Sequence, residues 1–240
     1  MNFTCVGLFE DFIKAYSQYS IIARAVKNQT AQINFINIRD FSKDKHKNTD
    51  DYPYGGGAGM VMTAQPIFDA VNYAKENKDI PVIYFSPIGK TLNSELAKKY
   101  ASSDNLILLC GHYEGVDQRA LDLTVTEYIS IGDYILTGGE IAAVVFMDSV
   151  MRYCEGFLGN AQSSSEESFE NGLLEYAQYT RPEVFNGLKV PDILLSGNHA
   201  KINEYRHADS IERTKIYRKD LYDEYISIID KNDKMKKGRR

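Results

Sequence analysis

Five short apolar runs, Phe3–Gly7, Gln32–Ile38, Pro81–Phe85, Leu106–Cys110 and Val125–Ile129, alternate with segments of helical periodicity over the first two thirds of the chain. That alternation restricts the chain to an α/β domain. The runs are near-continuous rather than alternating, so the strands they predict belong to a sheet covered on both faces. Pro66 suits the first position of a helix, with Ile67, Ala70, Val71 and Ala74 following at helical spacing. Asn93 or Ser94 can cap a short helix through Tyr100. Glu140–Tyr153, strongly apolar and free of internal Gly and Pro, predicts a buried helix.

The character then changes. The stretch from Asn160 to Asn171 is polar, rich in Ser and Glu and without periodicity, as expected of a linker. Beyond it lies a connection punctuated by Pro182 and Pro191, then two helical stretches. One runs from about His199 to Arg218. The other runs from about Asp220 to Asp230, with Leu221, Tyr225, Ile228 and Ile229 on one face. The expected organisation is a first domain over 1–159, a linker over 160–172 and a small helical domain over 173–240.

Bulk properties narrow the class. At 240 residues, with 43% apolar and 25% charged residues, the chain can bury a substantial core. No run approaches the ~18 apolar residues of a membrane span, and the N-terminus does not read as a signal peptide. Cys5, Cys110 and Cys154 lie far apart with no CxxC pair, against both a zinc site and a disulfide framework. A reduced cytoplasmic protein is expected. The net charge of −5 conceals two basic stretches, with six Lys/Arg against two acids from Arg24 to Lys47, and six against three from Lys201 to Lys219. Either could meet phosphates.

Three glycine-rich turns suggest a ligand site. Ser130–Glu140 (SIGDYILTGGE) holds three glycines around an apolar centre, and LLCGHYEGVDQR and PVIYFSPIG each place a glycine just after an apolar strand. Open α/β sheets bind ligands outside the carboxyl ends of their strands. Three such turns in one domain suggest a shared pocket built largely from backbone, with Ile131 and Leu136 able to sandwich a flat ring. Gly55–Gly59 does not fit a phosphate loop, since GxxxxGK[ST] is absent. The flanking Asp50, Asp51, Tyr52 and Tyr54 favour a substrate-facing loop, because tyrosines can stack on bases.

Together DDYPYGGGAGMVM, YFSPIG, LLCGHYEGVDQR, SIGDYILTGGE, YTRPEV and LLSGNHAKI resemble, in order and spacing, the bacterial tRNA (guanine-N(1)-)-methyltransferase family. The resemblance implies a SPOUT-type, trefoil-knotted parallel sheet, a homodimer, S-adenosylmethionine as methyl donor, and methylation of guanine N-1 at tRNA position 37. Donor contacts would come from Tyr84, Phe85, Ser86 and Pro87; from Gly111, Tyr113, Glu114 and Gly115; and from Ile131, Gly132, Asp133, Tyr134, Ile135, Leu136, Gly138 and Gly139. Glu114 would face the positive sulfonium. Asp117, Arg119 and Asp133 could equally form ion pairs with a partner subunit.

Arg152 matches the family arginine that can donate to guanine O-6. The family's general base is an aspartate before a Ser-Phe pair; here that position is Glu167, with Glu166 beside it. On the tRNA side the resemblance implicates Asp50, Tyr52, Tyr54, Gly57, Ser196, Asn198 and His199. Lys201, Arg206, Arg213, Lys215 and Arg218 are candidates for phosphates. Relatives suggest magnesium dependence, with no ligand cluster here for a metal. Another RNA target, or a non-catalytic RNA-binding role, are the alternatives.

Overall fold

In a computed structural model of the chain the described residues are 1–158 and 167–237, with side chains as far as Lys231. Two compact units are present, 1–159 and 160–240.

The first unit contains, in order, β1 (Asn2–Gly7), α1 (Glu10–Ser17), α2 (Ser20–Lys27), β2 (Gln32–Asn37), β3 (Asp50–Asp51), β4 (Val61–Met62), α3 (Ala64–Lys75), β5 (Val82–Thr91), α4 (Ser94–Ala101), β6 (Asn105–Leu109), α5 (Gln118–Thr124), β7 (Glu127–Ser130) and α6 (Gly139–Met151). All five expected strands form, and they make one parallel sheet in the order β2-β1-β6-β5-β7. Successive strand side chains point to opposite faces. Phe3, Cys5, Ile83, Leu106 and Leu108 therefore pack with Ile13 of α1, Ile22 of α2, Tyr100 of α4 and Phe146 of α6. Val6, Val82, Ile107 and Leu109 pack with Ile67 and Val71 of α3 and Leu121 of α5 on the other side. Both faces being covered explains the continuous apolar runs. Each fully buried Leu, Ile or Phe contributes roughly 1.5–3 kcal/mol of transfer free energy.

Local details depart from the sequence reading in three places. The helix containing Pro66 starts at Ala64, with Thr63 as its N-cap, so the proline is its third residue; the first-turn N–H groups lack intrahelical partners, so proline costs nothing there. The strand from Pro81 does not end at Ser86-Pro87. β5 runs to Thr91, and Phe85 and Lys90 both register on Ile129, so 86–89 bulge out of the ladder. α6 ends at Met151, two residues early. The Asn93 cap is as expected, its side chain accepting from the Leu96 N–H at 2.9 Å.

In the second unit, β8 (Val184–Phe185) and β9 (Leu188–Lys189) form an antiparallel hairpin, followed by α7 (Asp192–Leu195), α8 (His199–Tyr217) and α9 (Lys219–Lys237). Asn186 and Gly187 turn the hairpin with φ of 49° and 82°, as a two-residue hairpin turn requires. The connection 173–177 is tied to α8: the Leu174 N–H donates to Thr214 Oγ1 at 2.8 Å and the Ala177 N–H to Asp209 Oδ2 at 2.7 Å. Along α9, Leu221 and Tyr225 are half-buried, whereas Ile228 and Ile229 are exposed. Residues 160–166 of the expected linker, Glu166 among them, and the terminal Gly238-Arg239-Arg240 lie outside the described residues. Among the described residues no helix is long and apolar enough to cross a membrane.

Candidate active site

Strands β6, β5 and β7 are neighbours, and a cavity opens at their carboxyl ends. One wall is Tyr84–Pro87, from the end of the regular part of β5 and its bulge. A second is the turn 111–115 after β6, and a third is the loop 129–139 between β7 and α6. Every expected donor residue lines this cavity except Asp133, which is exposed on the third wall.

The glycines of the site serve close approach. The Gly139 N–H donates to Gly111 O at 2.8 Å, and a Cβ on Gly139 would stand 2.8 Å from the Cys110 Cα. The second and third walls therefore meet backbone to backbone. His112 pairs with Gly138 in an isolated antiparallel bridge beside them. Gly132, at φ +139°, supplies a conformation that side-chain-bearing residues rarely adopt. Tyr113, at φ 58°, adopts the left-handed region despite its side chain, a kind of strain that collects at functional sites.

The loop 50–62 is fastened to the same turn. The Glu114 N–H donates to Met60 O at 3.0 Å, Met62 N–H to Gly115 O at 2.9 Å, and Asp117 N–H to Met62 O at 2.9 Å. Gly59 lies so close that a Cβ there would fall 2.5 Å from the Glu114 Cγ. Asp50 is held in β3, while Tyr52 and Tyr54 are exposed at 79% and 99%, free to meet a ligand. Gly57, at φ +131°, faces only Pro53.

Asp117 and Arg119 pair within the chain. Asp117 accepts from the Arg119 N–H, capping α5, and from the guanidinium at 2.6 Å. The guanidinium hydrogen bond holds the Asp117 carboxyl below its ordinary range. Arg152 is the half-buried C-cap of α6, where the helix carbonyls favour a cation.

Glu167 belongs to the second unit and lines a cavity there with Tyr176, Arg206 and His207. Its carbonyl accepts from the Glu170 N–H at 3.3 Å. Asn198 caps α8 by accepting from the Lys201 N–H, and Ser196 Oγ accepts from the Asn198 N–H. His199 lines another cavity with Tyr179, Arg181 and Arg206. Of the candidate phosphate-binding cations, Arg218 is paired with Asp220 at 2.6 Å and Arg213 donates to Glu175 O at 3.2 Å. Lys215 lies 4.0 Å from Glu212, Arg206 lies over the Tyr176 ring, and Lys201 is exposed.

The sequence reading did not single out His112, Ile129, Ser130, Thr137 or Ala142 as site residues, and all of them line this cavity. The signal for His112 was present, since it falls between Gly111 and Tyr113, both of which were named. Cys5 and Cys110 are fully buried, and burial pushes the Cys5 thiol up to about 12 and Cys110 well above its ordinary value. Neither is poised as a nucleophile. Among the described residues no group of three His, Cys, Asp or Glu is placed to hold a metal ion.

Comparison with known proteins agrees with the motifs. The family model described as tRNA (Guanine-1)-methyltransferase TrmD matches residues 1–224. A protein of Lachnospira eligens named tRNA (guanine-N(1)-)-methyltransferase is 52% identical over 94% of this chain and 97% of its own length. Proteins of the same name from Clostridioides difficile and Malacoplasma penetrans are 51% and 49% identical, over 92% and 94% of this chain and 97% and 99% of theirs. A parallel sheet whose three adjacent strand ends carry the family's glycine turns, in a chain matched almost end to end, belongs to the tRNA (guanine-1)-methyltransferase family.

Proposed function

We propose that this chain methylates N-1 of guanine at tRNA position 37, using S-adenosylmethionine, as a cytoplasmic homodimer on a trefoil-knotted SPOUT fold. The observation that carries the reading is the convergence of three glycine-rich turns on one cavity at adjacent strand ends. The cavity suits the donor. Glycine-rich backbone can approach a nucleoside edge, Ile131 and Leu136 offer apolar contact, and Glu114 is among the lining residues.

When bound, the donor supplies a methyl group on a cationic sulfonium. The protein must then remove the N-1 proton and stabilise charge developing on O-6. Arg152, permanently charged, donates to O-6. Glu167 accepts the N-1 proton. These two residues belong to different units, and we assign their meeting to the dimer, with the donor cavity of one subunit served by the linker and C-terminal domain of the other. In that domain Ser196, Asn198 and His199 face the target region, Tyr52 and Tyr54 approach from the first domain, and Lys201 and Arg206 meet phosphates.

The dimer reading rests on an exposed apolar face beside the cavity. Phe9, Phe12, Ile141 and Val145 are 39–50% exposed on and next to α1 and α6. Sedimentation velocity should give a dimer that Phe12→Glu dissociates; a monomeric wild type removes the shared site.

The reaction is tested with methyl-labelled donor and unmodified tRNA. Label should enter tRNA bearing guanosine at position 37 and disappear when that base is replaced; label that survives the replacement overturns the assigned target. Glu167→Gln should lower the single-turnover rate at least ~100-fold, the lower range for general base catalysis. A rate within threefold of wild type would remove Glu167 from the mechanism.

A further inference from the structure

We propose that His112 and Glu140 form a positioning latch that holds the second and third walls of the donor cavity in register, and so sets donor affinity. The inference rests on the reading of that cavity as the donor site. His112 lies on the turn after β6 and Glu140 in the first turn of α6, so the pair spans the two walls. The imidazole Nε2 and Glu140 Oε2 are 2.7 Å apart, with side-chain exposures of 16% and 6%. With Glu140 ionised, Nε2 is the donor in this contact, since a carboxylate only accepts.

His112 is held from several sides. Its backbone N–H donates to the Met62 sulfur at 3.1 Å, and the Phe9 ring lies 4.6 Å from the imidazole. A Cβ on Gly138 would fall 2.2 Å from the imidazole Nε2, so the ring lies directly against the backbone of the third wall.

Glu140 is the less expected member. Its other oxygen, Oε1, is buried with no hydrogen-bond partner among the described residues, in a space bordered by Gly7. A buried carboxylate with one orphaned oxygen is costly, and such a group calls for a specific explanation. The helix N-terminus offsets part of that cost. What the carboxylate gains here is the grip on His112. His112 lines the donor cavity whereas Glu140 does not, so the Glu140 carboxylate acts on the donor site through the groups it touches, the imidazole first among them.

The test is calorimetric titration of the full-length protein with S-adenosylmethionine, beside steady-state kinetics and thermal melting. His112→Ala and Glu140→Ala should each weaken donor binding by at least tenfold, and the double variant by no more than the worse single one. In each variant the KM for donor should rise by more than the maximal rate at saturating donor falls. His112→Gln, which can still present an N–H to the carboxylate, should recover most of the affinity, while the shorter His112→Asn should not. This Gln/Asn contrast keeps the test open if the alanine variants fold poorly. Unchanged donor affinity in folded variants, fully additive losses, or equal behaviour of Gln and Asn overturns the latch. Wild-type protein that binds no donor overturns the donor reading itself, and the latch with it.

Discussion

Gly139→Ala should abolish donor binding and with it methyl transfer. The new Cβ would stand 2.8 Å from the Cys110 Cα and 2.9 Å from the Gly111 N. Both are backbone atoms at the end of a buried central strand, so no side chain can rotate away. Relief requires α6 to withdraw from β6, breaking the 2.8 Å Gly139-to-Gly111 hydrogen bond and parting two walls of the cavity. Overpacking of this kind costs about 1–3 kcal/mol. A shift of about 1 Å at a reacting centre can itself lower a rate on the order of 100-fold. A melting curve and a donor titration would show both losses. Gly187→Ala is the control: that glycine is left-handed at φ +82° but has nothing within 4 Å. It should lower the melting temperature through backbone strain of about 1–2 kcal/mol and leave donor affinity intact. Donor binding that survives Gly139→Ala would mean the two walls do not form the site.

Arg152→Ala should lower the single-turnover methylation rate about 100- to 1,000-fold, the range for losing one donor to a developing oxyanion. Donor affinity should change little. As the C-cap of α6 the arginine also meets the helix dipole, a contribution of about 0.3–1 kcal/mol. A melting curve measures the stability loss of the variant separately from its rate. Arg152→Lys keeps the charge but loses the planar fork, so it should recover only part of the rate. Equal rates for Arg152→Ala and wild type would confine Arg152 to its helix-end role.

Much of this architecture was legible in the residues. Leu106–Cys110 and Phe3–Gly7 read as strands because a strand covered on both faces needs no polar alternation; α6 read as buried because no face of it is polar, yet Ile141 and Val145 on it are exposed. The glycine turns were legible for a related reason, since a glycine directly after an apolar strand marks backbone meant to be approached. The bulge at 86–89 was not legible. Ser86-Pro87 looks like a strand end locally, and only the pairing of Lys90 and Thr91 with Ile129 and Ser130 shows the chain rejoining β7. The Asn186-Gly187 hairpin was overlooked because its strands are two residues each, too short for any periodicity.

The chain's sequence by itself determined the fold class, the family and the three turns that wall the cavity, because these depend on local apolar patterning and on glycine at set places. It also placed His112, Glu140 and Gly59 within motifs, without showing what they touch. Only the tertiary structure brought His112 against Glu140 and fastened 50–62 onto 112–117. These contacts join residues whose spacing in the chain carries no periodic signal. They are set instead by strand order, which makes β5, β6 and β7 neighbours and sends their three turns to one edge of the sheet.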